Sequence, residues 1–162
     1  MVRDLTELGP NLQKIITRLQ ADQNLLKLLY YTDKDPLSQK DLTTEQIKNE
    51  VFETLIKIVP RIEPAETAKS IIAMRVVNGN ANNENDEFRD INISFEIFVP
   101  LTQWFIKDAN LRPFCIMGRI LKDLKGKTID GLGKISGGNF NLNFLTEEMS
   151  CYEMSFSIIT YD

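Results

Sequence analysis

The side chains best suited to chemistry in this chain are carboxylates. Asp90 and Glu96 share one run, and Glu63 and Glu66 lie near another. Acidic oxygens that converge on two ions about 4 Å apart are the machinery of metal-dependent nucleases. Asp90 and Glu96, however, are separated by about 20 Å if the run is an extended strand, too far to share an ion. No carboxylate–x–lysine pairing stands beside them. The chain has no histidine, which removes the usual general base and the commonest metal ligand. Its two cysteines, Cys115 and Cys151, cannot close a zinc site that normally takes four Cys or His ligands. They read as idle or buried thiols. The run GLGKISGG lacks the strand–GxxxxGK[ST]–helix context of a phosphate-cradling loop and reads as a turn. No GxSxG elbow is present. Catalysis is not expected, and no cofactor or metal is implied.

Composition sets wider bounds. The 162 residues suit a single domain, 1–162, and a hydrophobic content of 43% is enough for a core. A formal net charge of −4 with both signs dispersed is not the footprint of a protein that grips nucleic acid by its phosphates. No apolar run approaches the length needed to span a bilayer. The first residues, MVRDLTELGPNLQK, lack the apolar core of a signal peptide, so a cytoplasm-like compartment is expected.

The elements that would position these residues follow from period. Leu8, Leu12, Ile15, Ile16 and Leu19 keep helical spacing, with Pro10 in the first turn. Asp22 is placed to cap a second helix, and Thr43 with Gln46 has capping-box spacing. From Leu55 the period changes to that of strands: LIKIVPRIEP, an edge strand interrupted by Pro60 and Pro64, then IIAMRVV, DINISFEIFV, NFNLNFL and CYEMSFSII. Between them, a helix from about 110 to 125 carries Phe114, Met117, Ile120, Leu121 and Leu124 on one side. The expected fold is α+β: an antiparallel sheet of four or five strands, with N-terminal helices and the 110–125 helix on one face. The helix should pack on Ile93, Phe95, Met154 and Phe156.

The opposite face of that sheet is polar. Asn92, Ser94 and Glu96 alternate with core residues on one strand, and Asn141, Asn143, Glu153, Ser155 and Ser157 do so on two others. Such a face is either an ordinary solvated surface or the lining of a hole, where Asn, Ser and Glu give a passing polyanion little to adhere to. Between two strands lies VVNGNANNENDEFRDI, whose Asn78, Asn80, Asn82, Asn83, Glu84, Asp86 and Glu87 form a polar loop longer than a tight hairpin needs. Residues 112–134 are basic, and Arg112, Arg119, Lys122 and Lys125 make a candidate contact edge. Acidic and basic patches on different edges favour a head-to-tail contact, which closes into a ring.

The succession LIKIVPRIEP, IIAMRVV–loop–DINISFEIFVP, RPFCIMGRILKDLK, NFNLNFL and CYEMSFSIITYD resembles the tail-terminator, or tail-completion, proteins of long-tailed bacteriophages. The likeness covers roughly residues 10–162 and is one of element order and texture. It implies a structural virion protein that forms a hexameric ring on the last ring of the tail tube. It also implies that this ring joins the tail to the connector or stopper of the head. DNA would pass through the lumen unread, the polar face would border the lumen, and the polar loop would reach a neighbouring subunit or ring. Other readings are another neck or baseplate component of related fold, a carboxylate nuclease, and a small adaptor domain.

Overall fold

The computed structural model describes residues 5–58, 69–81 and 88–159. Its elements are α1 (Leu8–Gln20), α2 (Gln23–Tyr30), a short α3 (Thr44–Gln46) continued by a π turn, and α4 (Arg112–Leu124). The strands are β1 (Ile56–Ile58), β2 (Ile71–Ala81), β3 (Phe88–Pro100), β4 (Thr128–Ile129), β5 (Gly133–Leu145) and β6 (Met149–Ile159). They form one six-stranded sheet in the order β1-β2-β3-β6-β5-β4. The architecture is the expected α+β. The strand count is higher than four or five, and β1 joins β2 in parallel while the other pairs are antiparallel.

The helix boundaries follow local chemistry. Asp22 accepts from the backbone N–H of Asn24 and Leu25, capping α2. Thr43 and Gln46 bond reciprocally as a capping box. In α4 the buried stripe is Pro113, Ile116, Met117, Ile120 and Leu124, whereas Phe114 is exposed and Leu121 is half-buried. The stripe is therefore rotated from the sequence-based face, because Ile116 rather than Phe114 turns toward the sheet. It packs with Leu12, Ile15, Ile16 and Leu19 of α1 and with Ile93, Phe95, Met154 and Phe156 in one core.

Two strand segments depart from the sequence expectation. The GKISGG part of the predicted turn is the start of β5, which runs unbroken in the sheet from Gly133. Gly137 and Gly138 sit at a bulge with φ near +95° and +100°. A Cβ on Gly137 would press the Ser155 carbonyl, and one on Gly138 would overlap Leu121 Cδ1, so this bend of β5 needs both glycines. A second shift between Leu142 and Phe144 moves Phe144 off the face of Phe140 and Leu142; it packs on Phe98 instead. Of the polar loop expected over 78–87, the first four residues are strand, since β2 continues to Ala81; 82–87 lie outside the described residues, and β3 begins at Phe88.

Candidate functional site

The strand register assembles the polar face row by row. Asn92 lies opposite Ser157, Ser94 opposite Ser155, and Glu96 opposite Glu153. Asn141 lies beside Glu153 on β5. Asn143, at the second bulge, points its amide at Glu96 Oε1, 3.4 Å away, and at Cys151 Sγ. The alternation of side chains along a strand thus brings all eight predicted residues to one face. The helices pack on the other. Asn141, Asn143 and Ser155 are exposed, and Asn92, Glu153 and Ser157 are half-buried. Ser94 and Glu96 are buried beneath their neighbours, so they support the face rather than border open space as the sequence reading had it.

Arg75 is the residue that sequence reasoning missed. It stands beside Ser94 on β2, in the middle of the polar face. Its guanidinium lies 3.0 Å from Glu96 Oε1 and 3.5 Å from Glu153 Oε1. Ser94 Oγ donates to the same Glu153 oxygen at 2.8 Å. Burial raises the Glu96 carboxyl above the ordinary range; Arg75 pulls it down and Glu153 pushes it up. A parity count along IIAMRVV is available in the sequence, but only the register with β3 shows which face Arg75 joins. Toward the hairpin, Ser157 Oγ donates to Asn92 Oδ1, and Asn92 Nδ2 donates to Asn78 Oδ1, both at 2.6 Å. Asn78, Asn92 and Ser157 line a groove of about 350 Å³ together with Val77, Asn139 and Glu153.

The chemistry this arrangement can perform is recognition by shape and polarity. Its central cation is shared by two carboxylates, which leaves it weakly available to a phosphate. Among the described residues no group of three metal-ligating side chains converges. Burial, followed by the field of Glu96, pushes the Cys151 thiol up to about 12, which keeps it from acting as a thiolate.

The remaining predicted residues are scattered. Asn78 and Asn80 belong to β2 and pair with Asn92 and Asp90, so they are sheet rather than loop. Asn82, Asn83, Glu84, Asp86 and Glu87 lie outside the described residues. Arg112 cannot serve a contact edge, because it is fully buried. Its guanidinium donates to the carbonyls of Gln103, Leu28, Tyr31 and Asp33 at 2.6–2.9 Å. Arg119 donates from Nε to Asp22 Oδ2 at 2.6 Å, which leaves Lys122 and Lys125 as the exposed part of the edge. Behind that pair sits Asp123, raised to about 7 by burial and by its hydrogen bond with Asp22. Burial works to raise Asp22 as well, but the bonds from Arg119, Asp123 and the Leu25 N–H outweigh it and lower the carboxyl.

No helix among the described residues is long and apolar enough to cross a membrane. No curated protein matches the chain. Residues 22–158, which hold α2 and the described sheet except the last residue of β6, match the family described as YomW, named after a gene of a Bacillus phage region. The chain belongs to the YomW family and is in that sense a phage-associated protein.

Proposed function

We propose that this chain is a structural protein of a phage tail: a tail terminator that closes a ring on the end of the tail tube and joins the tail to the head connector. Copies of the chain, the tube protein and the connector are its partners, and the assembled particle is its location. The protein acts by shape, without catalysis, and DNA crosses the lumen without being read.

The observation that carries this reading is the sheet's polar face. α1 and α4 pack on one face of the sheet, and the other face carries a row of Asn, Ser and Glu side chains whose central arginine is held by two glutamates, with Ile71, Phe98 and Cys151 buried at one end of it. A wall of that composition slides past a polyanion, whereas free lysines and arginines would retain it through counterion release. Family membership supports the phage setting.

Deleting the gene from its phage and imaging the lysate tests the proposal. The expected particles are full heads apart from tails, with tails of irregular length, and complementation restores joined virions. Normal virions from the deletion strain would contradict it. A defect confined to the far end of the tail would point instead to a baseplate component.

A further inference from the structure

We infer that copies of this chain join head to tail by edge pairing, the β5 edge of one copy against the β1 edge of the next; this rests on the ring reading and specifies its contact. Among the described residues the sheet ends on one side at β1, where Ile56 also makes an isolated bridge with Phe52. On the other side β4 pairs with β5 only at Gly133 and Lys134, and the rest of β5 is open among the described residues. The open stretch of β5 is long enough to be a ready template for another strand.

Three features make a second copy the fitting occupant. The first is level. Following the register across the sheet, Leu142 aligns through Tyr152, Ile97 and Ile72 with Ile56. In the same way Asn141 aligns with Lys57, and Phe140 with Ile58. The open stretch of β5 therefore lies at the height of β1, and the next copy needs no stagger. The second is direction. β1 runs with β2, and three antiparallel steps lead from β2 to β5, so a neighbour's β1 beside β5 continues the sheet as an antiparallel pair.

The third is side-chain chemistry. Phe140 and Leu142 are half-exposed on the β5 edge, and Ile58 is 42% exposed on β1 with Phe52 close by. Pairing places these apolar groups together on the helix side. Leu142 also lines a groove of about 390 Å³ with Leu101, Trp104, Phe105, Leu145 and Tyr152, whose apolar surface would otherwise face water. On the polar side the neighbour's Lys57 would lie beside Asn141, two strand spacings or about 10 Å from Glu153, within reach of a lysine side chain. Because β1 offers only three residues, backbone bonds are few and the apolar groups carry the contact. The contact is heterologous, so it closes on itself only as a ring.

Cysteine cross-linking tests this. In a Cys115→Ser background, with Cys151 buried, the pair Lys57→Cys and Asn141→Cys should give a ladder of covalent multimers under mild oxidation, and either single variant should give none. Rings that assemble without a bridge from position 57 to 139, 141 or 143 would overturn the edge pairing and leave the ring reading standing. A chain that stays monomeric at high concentration and yields no ladder would overturn both. Leu142→Lys changes a solvent-facing side chain, so it should melt like wild type and lose its multimers. Multimers at the wild-type level would refute the contact.

Discussion

Arg112→Met removes a charged group that the core holds without an ion-pair partner among the described residues. The guanidinium satisfies four backbone carbonyls, including Leu28 at the C-terminal turn of α2, and so ties α2 and the chain after it to α4. A cation also complements the negative end of the α2 dipole. Hydrogen bonds to a charged group are worth about 1.5–3 kcal/mol each, and four of them would sum to roughly 6–12 kcal/mol if they were independent. Taking the guanidinium out of water costs several kcal/mol, and methionine recovers that cost while filling much of the volume. What remains is the cost of four carbonyls left without donors, about 3–5 kcal/mol, comparable to breaking a buried charged contact. At this chain length each kcal/mol moves the midpoint by about 2–4 °C, so a drop of roughly 10 °C is expected. Arg112→Lys should fall between, since an ammonium has three donors and no planar fork. Thermal unfolding followed by circular dichroism measures both. An Arg112→Met protein that melts within about 2 °C of wild type would refute the reasoning.

Arg75→Ala should cost more stability at pH 8 than at pH 4, because burial raises the Glu96 carboxyl and the variant leaves it ionised without its guanidinium only at the higher pH; equal losses at both would remove the proposed role of Arg75. Asp123, with a folded-state value near 7 against an ordinary 3.8, binds its proton more tightly when folded, so its contribution is complete below about pH 4 and fades as pH rises to 7. Asp123→Asn should flatten that part of the stability profile, and an unchanged slope would deny the shared proton with Asp22. Ile120→Asp buries a charge in the α4–sheet contact and should cost several kcal/mol, enough to unfold a marginal domain; a soluble variant with an unchanged melt would remove this packing. Purified protein should leave single- and double-stranded DNA intact with magnesium or manganese, and cleavage lost on Glu96→Ala would overturn the structural reading.

Period alone made the sheet legible. Ile91, Ile93, Phe95 and Ile97 alternate cleanly, and their polar neighbours fall on the opposite face. The caps at Asp22 and Thr43 were legible too, because their bonding is local. Pairing across the sheet was not. Arg75 meets Glu96 through a register between residues far apart in sequence, and no pattern within IIAMRVV carries that information. Bulges had the same effect, since one extra residue at Gly138 or Asn143 reverses every side chain beyond it. Arg112 looked like a surface cation because arginine is seldom fully buried. Its burial depends on four carbonyls that only the folded backbone brings together.

A density map of the assembled virion tests the central claim most directly. A closed ring of this chain should stand where the tail tube meets the head connector, with Asn92, Asn141, Asn143 and Ser155 lining the channel. The end of β2 at Asn80 should lie near a neighbouring subunit or ring, and β5 should meet β1 across each subunit boundary. A map in which the polar face points to outside solvent, or in which the chain sits away from the tube end, would contradict the account.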